Sequence, residues 1–231
     1  MRIGVTERGD AGLDLSWRQF VTDSKVDGAI LITKRPSALV PILVGMSLPS
    51  NIIVHCTITG LPKSIEPNVN STEKELEAYH ELVKLLGPTR AVLRIDPIIP
   101  GFISHLPSLA KEAEGRVRIS FLDLYDHVRR RFTEANIDPK QTTFHAPLDT
   151  RKDLFHLIER NSVKVPEVCG EPDFDCTGCV SQTDLLAMGL SGRVTPGGQQ
   201  RKACACAGEK FEMLVNRAPC PHKCLYCYWR S

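Results

Sequence analysis

Short apolar runs rich in β-branched residues recur along the chain at 3–6, 29–33, 51–58, 91–95, 117–122, 163–168 and 211–215. Between them lie longer stretches with helical spacing, at about 13–24, 37–46, 71–86, 105–114, 124–136 and 149–160. The clearest helix is the third. Thr72-x-x-Glu75 opens it as a capping pattern, Leu76, Tyr79, Val83 and Leu86 fall at helical spacing, and Gly87-Pro88 closes it. Strands nearly continuous in apolar residues, each followed by a helix, describe a parallel sheet covered by helices, so the fold class read from the pattern is α/β. No internal repeat or low-complexity segment interrupts it.

Length and composition narrow this to one large core: 231 residues at 42% hydrophobic content suit a single α/β barrel. Residues 1–168 read as the barrel body, 169–210 as a small Cys-rich metal-binding appendage, and 211–231 as a strand and loop that complete the barrel. A formal net charge of +2 advertises no nucleic-acid partner globally, although Arg129, Arg130 and Arg131 form a local basic run that fits either backbone phosphate or a solvated helix face. No apolar stretch approaches the roughly 20 residues of a membrane helix, and the first ten residues lack the apolar core of a signal peptide. The expectation is a cytoplasmic monomer with no membrane partner. In that reducing compartment the nine cysteines point to metal rather than to disulfides.

The most specific chemistry is Cys220-Pro-His-Lys-Cys224-Leu-Tyr226-Cys227. Three thiolates on one short loop can hold three corners of a four-iron four-sulfur cluster and leave one iron open. A structural zinc site fits this triplet poorly, because zinc closes four positions and only His222 stands nearby. The CxxxCxxC spacing with an aromatic before the third cysteine resembles the signature of radical S-adenosylmethionine (SAM) enzymes, whose open iron is chelated by the amino and carboxylate groups of the cofactor. In most of that superfamily the motif follows the first strand, whereas here it follows the last. The resemblance therefore implies a circularly permuted partial (β/α)6 TIM-like barrel. In it, 211–215 replaces the usual first strand and is followed in space by 29–33, 51–58, 91–95, 117–122 and 163–168. The run 3–6 is surplus in this count and pads an edge. Further stretches, among them Ile32-Thr33-Lys34-Arg35-Pro36, Ile65-Glu66-Pro67-Asn68-Val69, Arg94-Ile95-Asp96-Pro97-Ile98 and Ser120-Phe121-Leu122-Asp123-Leu124-Tyr125, resemble a widespread bacterial family of unknown function that ends in CPHxCxYCY.

In a βα barrel, chemistry gathers at the carboxyl ends of the strands. There the resemblance implies that the SAM amine meets the carbonyls of Tyr226 and Thr33 or the carboxylate of Glu66. The SAM carboxylate then meets Lys34 or Arg94, and the ribose meets Asp96, Asp123 or Ser120. Thr57, at the end of its run, is a further candidate for cofactor contact; Arg94 and Asp96 read equally well as an ion pair ordering the barrel mouth, and Thr57 and Thr59 as strand formers. Tyr125 is a candidate radical or hydrogen relay, with Asp123 beside it. Cys56 is a core residue that could also serve as a relay.

Upstream, Cys169, Cys176, Cys179, Cys204 and Cys206 gather in a segment rich in Gly and Pro. The family resemblance implies Cys169, Cys179, Cys204 and Cys206 as ligands and Cys176 as spare. The metal reads as a second four-iron cluster or a zinc ion, with iron preferred because the neighbouring loop already requires cluster loading. The implied function is reductive cleavage of SAM followed by hydrogen abstraction, with flavodoxin or ferredoxin as electron donor. The permuted chain also looks like enzymes of bacteriophage DNA hypermodification, which makes an isomerase of amino-acid-modified thymidine in DNA the first expectation. A radical SAM lyase acting on a small molecule or nucleotide is the second. A non-catalytic iron-sulfur carrier and a zinc-stapled nucleic-acid-binding module belong to other classes, separated by metal content and SAM turnover.

Overall fold

In the computed structural model, which describes residues 1–46, 51–197, 203–208, 210–216 and 218–229, seven parallel strands form one curled sheet, a half-barrel. The strands are β1 (Ile3–Val5), β2 (Gly28–Thr33), β3 (Ile52–Thr57), β4 (Ala91–Ile98), β5 (Val117–Phe121), β6 (Glu167–Val168) and β7 (Lys210–Glu212), in the order β6-β5-β4-β3-β2-β1-β7. Helices connect them: α1 (Trp17–Thr22), α2 (Pro36–Val44), α3 (Thr72–Leu86), α4 (Leu106–Lys111), α5 (Asp126–Glu134), α6 (Leu148–Glu159) and α7 (Gln182–Ala187). Parts of the sequence-assigned segments 169–210 and 211–231 lie outside the described residues.

Two corrections follow from the strand order. The run at 3–6 does not pad an edge: β1 pairs with β2 on one side and β7 on the other, Ile3 facing both Gly28 and Lys210. The sheet therefore has seven strands, not six, and the strand ahead of the cysteine loop is the edge. The run at 163–168 shrinks to Glu167–Val168, because Val163 and Val165 face solvent and pairing with β5 begins at Glu167.

Side chains alternate between the two faces of the sheet. Ala29, Leu31, Val54, Cys56, Leu93, Ile95, Ile119 and Phe121 pack with Leu39, Tyr79, Leu82, Leu109 and Ile158 under the helices. The opposite, concave face carries Ile3, Val5, Ile30, Ile32, Ile53 and Val92, and these are covered by Val180, Leu185, Met188 and Ala207. The cysteine-rich segment thus shares a core with the sheet and lines the inside of the half-barrel.

Local chemistry explains two element ends. α3 is capped by Ser71, one residue earlier than the sequence pattern suggests, with Ser71 Oγ accepting from the Lys74 N–H at 3.4 Å. Glu75 is drawn off to the Ser37 N–H and hydroxyl, both at 2.8 Å, which fastens α3 to α2. α7, unforeseen in the sequence reading, begins with a capping box in which the Ser181 N–H and hydroxyl both donate to Asp184 at 2.8 Å.

Candidate functional site

The loop carrying Cys220, Cys224 and Cys227 docks over the ends of β1, β2 and β3. Leu225 N–H donates to the Ile65 carbonyl at 3.0 Å, and Asn68 Nδ2 donates to the Pro221 carbonyl at 2.6 Å. Arg131 Nε donates to the Leu225 carbonyl at 2.8 Å, and its Nη2 to the Cys227 carbonyl. Arg129 donates to the Thr142 carbonyl at 2.9 Å. Two arginines of the basic run therefore serve the protein's own backbone, and Arg131 is a clamp on the cysteine loop.

Beneath the loop sit two buried carboxylates. Asp10 accepts from Thr33 Oγ1 at 2.5 Å, the Lys34 N–H at 2.7 Å and the Gly12 N–H at 2.8 Å, and its Oδ2 lies 2.7 Å from His222 Nε2. Burial alone would raise its pKa, but the bond to His222, the charge of that ring and the Thr33 and Lys34 donors hold it below the ordinary value. Glu66 is held the same way: burial raises it, and Lys34, Tyr226 and Thr59 lower it further than burial lifts it. Lys34 Nζ and Thr59 Oγ1 each stand 2.8 Å from the Glu66 carboxylate, and the Tyr226 hydroxyl donates to it as well. Burial pushes the Cys224 thiol up to about 11 against the pull of Lys34, and Cys220 is raised by burial too. A metal must displace these protons to bind.

The predicted residues divide into three groups. Thr33, Lys34, Glu66 and Tyr226 are brought together against the cysteine loop. Thr57, Arg94, Asp96 and Ser120 form a second polar string across β3, β4 and β5. In it Arg94 Nη1 donates to Thr57 at 3.2 Å, Arg94 pairs with Asp96, and Ser120 donates to Asp96 at 2.6 Å. Among the described residues Arg94 Nε is buried with no partner, one donor left over at the mouth. A cleft of about 140 Å³ touches Lys34, Thr57, Thr59 and Glu66. Asp123 stands apart, 3.1 Å from His145, and Tyr125 packs edge-on against Phe144 and 6.1 Å from Tyr228 on the cysteine loop. Cys56 lies on the helix-packed face, fully buried with its thiol raised by burial, which removes it from the concave site and from any relay.

Asp10, and the hold of Arg131 on the cysteine loop, were missed by sequence reasoning. Only the Asp10-Ala-Gly12 turn pattern hints at the first; nothing local reveals that Arg131 reaches a loop nearly a hundred residues away.

The second cysteine group lies inside the half-barrel. The sulfurs of Cys169, Cys179 and Cys206 lie within 4.8 Å of one another and could bind a metal. Cys204 packs against them. Cys176 is turned away, accepting from the Glu171 N–H at 3.2 Å and donating to the Glu171 carbonyl at 3.1 Å. Gly178, at φ +74°, admits the segment around Cys206: a Cβ there would stand 2.7 Å from the Cys206 nitrogen. Beside the cluster, buried Arg118 donates to the Cys179 carbonyl at 3.0 Å and to His55 at 3.1 Å. It also pairs with Glu167 and Asp184, to which Arg116 is joined at 2.6 and 2.7 Å.

These features define a cysteine-rich α/β half-barrel with a possible metal site inside it and a cysteine loop across its mouth. A family model described as "Domain of unknown function (DUF1848)" matches residues 16–229, and the chain belongs to that family. No curated protein and no solved structure matches it. Among the described residues no helix is long and apolar enough to cross a membrane.

Proposed function

We propose that this protein is a radical SAM enzyme in which Cys220, Cys224 and Cys227 hold a four-iron cluster with one open iron. The observation that carries the reading is the seating of a three-cysteine loop on the carboxyl ends of parallel strands, directly over a polar ring. The donor set fits the group. Three cysteines share one short loop and would hold three irons, leaving the fourth without a protein ligand from that loop. When bound, cluster and SAM together supply one-electron cleavage of the sulfonium and hydrogen-atom abstraction.

The chain's own residues do the positioning. Asp10, through His222, fixes the loop to the ends of β1 and β2. Lys34 offers a cation beside Cys224 for the SAM carboxylate, while Glu66 and the Tyr226 and Thr33 carbonyls are acceptors for its amine. Arg94, Asp96 and Ser120 would hold the ribose, with Arg94 Nε as a further donor for it. Electrons come from a flavodoxin or ferredoxin.

For the substrate, isomerisation of an amino-acid-modified thymidine in DNA is favoured by exposed Tyr228 and Trp229 at the end of the cysteine loop. Arg8 lies 5.3 Å over the Trp229 ring, and exposed Phe144 is joined to Tyr228 through Tyr125. Such aromatics stack on extruded bases and the cation meets phosphate.

The test is anaerobic reconstitution of wild type and Cys224→Ala, followed by iron and sulfide analysis and incubation with SAM and dithionite. Wild type is expected to release 5′-deoxyadenosine and the variant none; equal behaviour of the two sinks the reading. With modified DNA, an isomerase gives a product nucleoside of unchanged mass, whereas a lyase gives a lighter one.

A further inference from the structure

We propose that Cys169, Cys179, Cys204 and Cys206 bind a single tetrahedral zinc ion that staples the inner lining to the half-barrel, not a second iron-sulfur cluster. The argument is sulfur spacing. Thiolates sharing one zinc at about 2.3 Å stand about 3.8 Å apart, whereas those of a cubane each hold a different iron and are separated by the width of the cluster. The sulfurs of Cys169, Cys179 and Cys206 fall within 4.8 Å of one another, with Cys169 and Cys179 at 3.0 Å. That spread fits one ion and is too tight for a cubane. Cys204, two positions before Cys206, packs against the three although its sulfur lies outside their 4.8 Å group, and it is the nearest candidate for the fourth position, to be drawn in as the ion binds.

The surroundings suit a closed structural ion. All three central cysteines are buried, and the Cys179 N–H donates to Cys206 Sγ at 3.0 Å, an outer bond of the kind that orients a ligand. The ligands come from distant parts of the chain. Cys169 follows β6 and its N–H donates to the Ile119 carbonyl of β5, Cys179 precedes α7, and Cys206 precedes Ala207, which donates to the Val180 carbonyl. One ion therefore ties the sheet to both ends of the lining that covers Ile3, Val5, Ile30 and Val92. Binding would release the thiol protons and requires no oxidant or reductant. The site stands independently of the radical reading.

The experiment compares full-length wild type with the Cys220→Ala, Cys224→Ala, Cys227→Ala triple variant, both purified without oxygen. Zinc and iron are counted per chain, and cobalt(II) is exchanged into the variant. About one zinc is expected in both proteins, with iron confined to wild type, and the cobalt form should show ligand-field and thiolate charge-transfer bands of a tetrahedral four-sulfur site. Cys176→Ser should keep the zinc and Cys204→Ser should lose the four-sulfur spectrum. About four irons without zinc in the triple variant, about eight in wild type, or a folded variant free of metal would each overturn the proposal. Absence of iron in wild type alongside one zinc would instead sink the radical reading and leave this site standing.

Discussion

Glu66 is heavily committed at the mouth, accepting from Lys34, Thr59 and Tyr226 while nearly out of solvent. Glu66→Gln keeps the shape but leaves the Lys34 ammonium facing a neutral amide. The expected loss is about 1–3 kcal/mol in denaturant unfolding and, on the function proposed above, a lower yield of iron in reconstitution. His55 gives a pH signature. Burial and Arg118 lower its pKa to about 4 from 6.5, so between those values the unfolded chain holds a proton that the folded one does not. Stability must then fall as pH drops from about 6.5 towards 4, by up to about 1.4 kcal/mol per unit from this residue, and His55→Gln should flatten that slope in melts taken across the window. Thr33, Lys34 and Glu66 were legible as single residues in or beyond the apolar runs, but Asp10 was not, and neither were the pairings, since Asp10 with His222 joins positions 212 apart in sequence.

At the scale of elements, the long periodic segments were the readable ones. β2, β3, β4, β5, α2, α3 and α6 lie where apolar spacing puts them, because burial under the helices rewards that periodicity directly. α7 escaped because it has only six residues, and its helix is defined by a capping box and by Asp184 pairing with Arg116 and Arg118. Its position depends in turn on the turn at Gly178. Gly178→Ala would force an unfavourable φ and drive a Cβ against the Cys206 nitrogen, so the cysteines cannot close. The expected result is loss of the bound metal and a destabilisation of about 1–3 kcal/mol, read by metal analysis and thermal melting of the same sample.

At the scale of the whole molecule, the cysteine-rich segment is a lining rather than an appendage, a distinction that composition could not make: Gly, Pro and Cys mark it as irregular but do not say what it covers. Its anchors, Leu185 and Met188, are buried against strands from the other end of the chain. Leu185→Ala should therefore cost about 2–5 kcal/mol, as a core truncation does, and unfolding monitored at Trp17 should remain a single transition if lining and barrel are one unit. The place of β1 between β2 and β7 has a consequence for how the protein is made. Positions 3 and 210 must meet before the edge strand exists, and the cysteine loop follows that strand in chain order. During synthesis β1 to β6 and their helices can leave the ribosome and pack while the loop is still untranslated. Any metal taken up by that loop, iron on the function proposed above, is thereby deferred until the rest of the barrel is already in place to receive it.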